Sequence, residues 1–355
     1  LFGFRVKLMK KMVVGIGILL CLLLWFSSCG TRIEESETVP GSDLLEEEKE
    51  LAAEGDNYIV VGFSQVGSES DWRIASTESF KGTFTQENGY YLIFEDAQQK
   101  QENQLKAMRD FILQEVDYII LDPIVETGWD AVLQEAKDAG IPVIVADRQV
   151  KVSDESLYTA WVGSDFEEQG RRAGEWLADY LEGQGRSSEE IRIVTLQGTL
   201  DSTAQLGRTG GFGQILKQHD NWTMLERRDA DFTQTKGQEV MEDFLKAYPD
   251  IDVVISENDN MTFGAIEAIE AAGKTCGPDG DIIIISFDAG RAALQAMAEG
   301  KINADFECNP NLGPLVSDII QKLEQGEEAE KLQYVKETYF DPSMDLQALI
   351  EERSY

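Results

Sequence analysis

A single histidine, His219, stands in a chain of 355 residues. Imidazole-based acid-base catalysis and most zinc centres draw on histidine, so the sequence argues against both. Basic side chains are scarce as well: 31 lysines and arginines face 66 acidic residues, a formal net charge of -35. Affinity for nucleic acid comes largely from cations that displace counterions, so DNA and RNA binding drop out. Neither GxGxxG nor GxxxxGK(S/T) follows the first apolar run of the body, Tyr58 to Phe63, and nucleotide binding has no support. His219 lies in the polar stretch Lys217-Gln218-His219-Asp220, which reads as surface and leaves Ser/His/Asp or Cys/His chemistry without a base. The expectation is a protein with no cofactor and no metal.

What is present begins with a leader. Arg5, Lys7, Lys10 and Lys11 precede an apolar run from Met12 to Phe26, then Ser27-Ser28 and Cys29-Gly30. The run is shorter than the roughly 20 residues of a bilayer span, so residues 1–28 read as a secretion signal. Met9 offers a start within it, with residues 1–8 upstream. Phe26-Ser27-Ser28-Cys29 resembles a bacterial lipobox, which implies a lipidated Cys29 as mature N-terminus and a protein anchored to the outer face of the cell membrane, or periplasmic. Residues 29–56 are Glu-rich, carry Pro40-Gly41 and lack apolar periodicity, as expected of a solvated tether. Cys276 and Cys308, the cysteines of the body, flank the run Ile282 to Phe287. At about 3.3 Å per residue that run would hold them roughly 20 Å apart, too far for a disulfide.

Short apolar runs recur at Tyr58 to Phe63, Tyr90 to Phe94, Tyr118 to Leu121, Pro142 to Ala146, Ile191 to Leu196, Asp252 to Ser256 and Ile282 to Phe287. Apolar on both faces, they read as buried parallel strands. Segments of helical period lie between them, such as Leu105, Met108, Phe111 and Ile112. The alternation predicts an α/β protein of two doubly wound parallel-sheet lobes. Ligands of such sheets sit beyond the carboxyl ends of the strands. Read there, the sequence offers Ser64, Glu69, Trp72, Arg73, Asp96, Asp122, Asp147, Arg148, Asn258, Asp288 and Glu307. Carboxylates and amides grip vicinal hydroxyls, arginines add fixed donors, and an aromatic face covers the C–H side of a sugar ring. Each residue alone fits a strand-end cap or surface charge equally well; their joint placement points to a polyol.

The stretches Val61 to Arg73, Asp96 to Gln104, Ala146-Asp147-Arg148, Asp231-Phe232-Thr233 and Glu257-Asn258-Asp259, with Phe287-Asp288 and Glu307, resemble the solute-binding proteins of ribose/galactose-type ABC sugar importers. Arg73 and Glu307 tilt the resemblance toward galactofuranose binders. It implies a type I periplasmic binding protein with a three-strand hinge, one lobe from 57–163 plus 309–332 and the other from 164–308 plus 333–355. It further implies Arg208 as the arginine of the second lobe, Phe232 as a stacking ring, a furanose as ligand, ABC permease subunits and the membrane as partners, and a monomer. Asp71 stands where close relatives have Gly, and Asp122 where they have Ala. Two other readings remain: a sugar-sensing subunit for a membrane receptor, which the sequence does not separate from transport, and a secreted glycosidase using two cleft carboxylates.

Overall fold

The computed structural model describes residues 58–355. The secretion signal, Cys29 and the acidic tether therefore lie outside the described residues. The body opens with β1 (Ile59–Gln65), α1 (Asp71–Thr83), β2 (Tyr90–Asp96), α2 (Gln101–Leu113), β3 (Tyr118–Leu121), α3 (Asp130–Asp138), β4 (Val143–Ala146) and β5 (Ala160–Gly163). It continues through α4 (Phe166–Gly183), β6 (Ile191–Gln197), α5 (Thr203–Leu216), β7 (Trp222–Asp229), α6 (Gln234–Ala247), β8 (Val253–Ser256), α7 (Asp259–Ala271), β9 (Ile283–Asp288), α8 (Arg291–Ala298) and β10 (Ala304–Glu307). The closing elements are α9 (Gly313–Glu324), β11 (Leu332–Tyr334), β12 (Tyr339–Phe340) and α10 (Leu346–Glu352).

Two 6-stranded sheets result, ordered β2-β1-β3-β4-β5-β11 and β7-β6-β8-β9-β10-β12. Their pairings are parallel apart from β10 with β12. Each of β3, β4, β5, β8 and β9 is buried along its whole length, as the continuous apolar runs of several of them require once helices cover both faces. Phe111, Trp129, Leu133 and Trp161 fill one side of the first sheet, and Phe63, Phe80, Ile319 and Ile320 the other. At roughly 1.5–3 kcal/mol for each large side chain buried, these layers hold the strand ends in place. Edge strand β7 breaks the apolar rule: Glu226, Arg227 and Arg228 lie on a half-exposed ribbon that no continuous run announces.

The chain passes between the sheets three times, after β5, after β10 and after β11. Leu332 pairs with Trp161 and Tyr334 with Gly163. Gln333 and Tyr334, expected in the second lobe, thus belong to the first sheet, because β11 closes the hydrogen-bonding edge that β5 would otherwise expose. Glu337 ties the crossings together. Its carboxylate accepts from the Ser164 hydroxyl at 2.7 Å, the Asn309 N–H at 2.8 Å and the Gln169 amide at 2.8 Å. Burial pushes the Glu337 carboxyl up to about 7, against the pull of those donors. Cys276 and Cys308 are both buried free thiols.

Candidate functional site

In each sheet the strand order reverses beside the first strand, β1 or β6, which is where a crevice opens in this topology. The residues that follow the strands are held in backbone conformations a side chain adopts only under constraint: φ is 58° at Asp147, 58° at Phe232 and 106° at Asp288. Each costs on the order of 1–3 kcal/mol and persists because its surroundings fix it. For Asp288, the next two amides are anchored: Ala289 N–H donates to Asp305 at 3.1 Å and Gly290 N–H to Asp259 at 2.8 Å. For Phe232, the ring lies against Gly198, where any β-carbon would run into it. Arg208 reaches the cleft because α4 and α5 touch backbone to backbone, with no room for a β-carbon at Gly170 or Gly211.

These side chains enclose one cavity between the lobes. Glu69, Ser70, Trp72, Arg73, Asp147 and Arg148 come from the first lobe, Phe166, Ala204, Arg208, Phe232, Asn258 and Asp288 from the second, and Cys308 from a crossing. The lining atoms leave about 290 Å³ between them, mouth included, and little of it would hold even a water-sized sphere.

Arg73 is the hub of the first-lobe wall. Its guanidinium contacts Asp122, donates from Nε to Glu69 at 3.0 Å and sits 3.0 Å from Asp147. Burial works against the charged guanidinium, yet Asp122, Glu69 and Asp147 more than offset it and raise the Arg73 pKa. Arg148 is less well matched. Burial and then the neighbouring Arg73 lower its pKa, only partly opposed by Asp147, Glu69 and Asp122. One Arg148 amine donates to the Ile124 carbonyl at 3.0 Å. Its Nε, with Oε2 of Glu69, is buried without a hydrogen-bond partner. Such orphaned polar atoms cost about 1–3 kcal/mol apiece until something bonds them.

On the opposite wall Arg208 is clamped between the rings of Phe166 and Phe287, 5.3 and 4.9 Å from their centroids. It donates to Gln169 at 3.0 Å, to the Glu257 carbonyl and to Asp288 at 3.3 Å. Burial pushes Asp288 well above the usual carboxylate range, against Arg208, and pushes the Cys308 thiol up too. Aromatic faces complete the walls. Arg73 lies 4.7 Å from the Trp72 centroid and Arg148 5.2 Å from that of Phe232. Trp72 Nε1 donates to the Cys308 carbonyl at 2.7 Å, which fixes the indole edge to the crossing. Asn258 is oriented by donating to the Phe232 carbonyl at 3.1 Å.

Of the residues expected from sequence, Glu69, Trp72, Arg73, Asp147, Arg148, Arg208, Phe232, Asn258 and Asp288 meet at this cavity. Ser64, Asp96, Asp122 and Glu307 are placed elsewhere. Ser64 is wholly buried at the end of β1. Asp96 ends edge strand β2, exposed, and accepts from the Gln98 N–H at 2.7 Å. Asp122 sits fully buried behind Arg73, where burial pushes its pKa well up against that arginine's pull. Glu307 turns toward the chain end, accepting from Arg353 at 2.7 Å and Tyr355 at 3.2 Å. His219 stacks on Trp222, with centroids 4.1 Å apart, and is not part of the lining. Phe166, Ser70, Ala204 and Cys308 were not singled out from sequence. Ser70 carried a signal, since it caps α1 by accepting from the Arg73 N–H at 3.1 Å; the others follow no strand end that the apolar runs marked.

The periplasmic binding protein domain family matches residues 61–328. The chain is 41% identical over 288 residues to the galactofuranose-binding protein YtfQ of Escherichia coli strain K12, which spans 80% of this chain and 88% of that protein. Among solved structures, a Mycobacterium smegmatis protein in complex with β-D-fucofuranose is 44% identical, with a TM-score of 0.79 over 83% of this chain and 94% of its own. The binding protein of the arabinose ABC transporter of Shewanella sp. ANA-3, bound to α- and β-L-arabinofuranose, is 44% identical with a TM-score of 0.77, covering 83% of this chain and 95% of its own. With its two parallel-sheet lobes, its three crossings and a matching domain over most of its length, this chain belongs to the periplasmic binding protein family.

Proposed function

We propose that this protein captures a neutral furanose outside the cytoplasm and delivers it to an ABC permease. The observation that carries the reading is the interlobe cavity, with its paired charges, its unpartnered Glu69 Oε2 and Arg148 Nε, and its aromatic walls. Three arginines and three acidic side chains line it and pair with one another, which leaves no unopposed charge for an ionic solute. A polyol suits such a wall, because each hydroxyl both donates and accepts. Two of the related structures, each 44% identical to this chain, hold furanoses, which supports that ring size here. Binding residues drawn from both lobes favour the closed arrangement over an open one, and that difference is the signal a permease reads.

Glu69, Trp72, Arg73, Asp147, Arg148, Arg208, Phe232, Asn258 and Asp288 are the proposed ligand contacts. Asp122 is proposed to act by fixing Arg73. Cys29 is the proposed lipid anchor, and the chain acts as a monomer. A thermal-shift panel of L-arabinose, D-galactose, D-fucose, D-ribose, D-fructose and D-glucose tests the reading. A melting temperature that rises with concentration for the furanose-forming sugars, and not for glucose, is expected. No shift with any of them would remove it.

A further inference from the structure

A second cavity adjoins the first and shares Trp72 and Asp288 with it as walls. It is the roomier of the two: its lining atoms leave about 720 Å³, mouth included. Like the first it spans both lobes. Asp71 and Trp72 come from the start of α1, Asn260 and Phe263 from α7, and residues 290–293 and 295 from the start of α8. Tyr355 closes one side, its carbonyl accepting from the Arg291 N–H at 2.6 Å.

Like the first cavity it combines aromatic with polar residues, but here the apolar surface predominates. Trp72, Phe263 and Tyr355 are the aromatic residues of its lining, and Asp71, Asn260, Arg291 and Gln295 bring a carboxylate, two amides and a guanidinium to it. Apolar rings with polar groups around them are what a sugar ring requires. The first cavity admits a ring only as the lobes part. Anything attached to that ring on the Trp72 and Asp288 side would pass directly into the second.

We infer that the second cavity is a subsite for a second sugar residue, so that the protein takes a furanosyl disaccharide as well as a single furanose. This rests on the furanose reading of the first cavity. A glycoside also has a chemical advantage as ligand. Its ring is locked as the furanose, whereas a free sugar is mostly pyranose in water and binds only through its competent fraction.

The test is calorimetric titration of the purified protein with L-arabinose, with methyl L-arabinofuranoside and with a disaccharide of two L-arabinofuranose rings. Ala292→Trp and Gln295→Trp, which fill the second cavity from its α8 side and lie outside the first, are titrated in parallel, with thermal melting confirming the fold. The disaccharide is expected to bind at least as tightly as L-arabinose. Both tryptophan variants are expected to weaken it by about tenfold or more while changing L-arabinose by less than about twofold. If L-arabinose binds and the disaccharide does not, the subsite is refuted and the furanose reading stands. Tight disaccharide binding that neither tryptophan variant weakens places the second ring elsewhere and also refutes it. If none of the three binds, the furanose reading itself falls.

Discussion

Asp71 reaches across the cleft. Its backbone N–H donates to Asn260 Oδ1 at 3.0 Å, and the Asn260 amide donates back to Asp71 Oδ2 at 3.2 Å. The first of these bonds satisfies an orphan donor at the start of α1 with a side chain from the other lobe, a helix cap supplied in trans. Both bonds exist only when the lobes are together. At about 0.5–1.5 kcal/mol net for each, Asn260→Ala should weaken the closed state by about 1–3 kcal/mol, because solvent satisfies the same groups once the lobes part. If the sugar is held only in the closed state, the dissociation constant rises by about 5- to 150-fold. Asp71→Gly removes one bond from an exposed carboxylate and should cost about 0.5–1.5 kcal/mol, about 2- to 13-fold. Since the pair holds the ligand in rather than guiding it inward, the loss belongs in the off-rate. Stopped-flow tryptophan fluorescence with L-arabinose reads it directly. An off-rate in Asn260→Ala within about twofold of the parent protein would refute the clasp.

Other consequences follow from the same geometry. Glu337, raised to about 7 from 4.5 by burial, binds a proton in the folded state between those values while the unfolded chain does not. Stability therefore falls as pH rises through that window, by about 3 kcal/mol from this group, and levels off above it. Urea midpoints at pH 5 and pH 8 should differ less in Glu337→Gln than in the parent protein, and an unchanged difference would remove Glu337 as the cause. Asp122→Asn leaves the cavity lining intact but loosens Arg73. It should weaken sugar binding by about tenfold, whereas a solvated, idle Asp122 would give no change. Gly198→Ala drives a methyl group into the Phe232 ring; a loss of about 1–3 kcal/mol in chemical denaturation and weaker binding together are expected, and normal binding would show that the ring is not a contact.

Much of the fold was legible because burial on both sheet faces writes itself as unbroken apolar runs. Strands β1 to β4, β6, β8 and β9 each coincide with one of them. Strand β7 left no such mark, since an edge strand with a half-exposed face carries Glu226, Arg227 and Arg228. Residues Ala160–Gly163 did not stand out, since only three apolar residues precede Gly163, although Trp161 is among the most buried side chains. For the site, reading the strand ends brought out Asp147, Arg148, Asn258 and Asp288, because the fold delivers strand ends to the crevice by construction. That rule does not say which strands flank the switch point, so it also offered Asp96 at an edge. It is equally blind to where a side chain turns. Glu307 ends β10 as expected but pairs with Arg353, a partner supplied by the chain's return past the second lobe. Phe166 escaped notice because it reaches the cavity from the first residue of a helix and matters only through Arg208, far along the sequence.

The central claim is that a furanose sits between Arg148 on one lobe and Asp288 on the other. Calorimetric titration of L-arabinose and D-galactose into the parent protein, Arg148→Ala and Asp288→Ala tests it most directly. Saturable one-to-one binding of at least one sugar, lost in both variants while each still melts cooperatively, is the result predicted here. Binding that survives in either variant with its affinity unchanged would contradict the placement, and no binding to the parent protein would contradict the function.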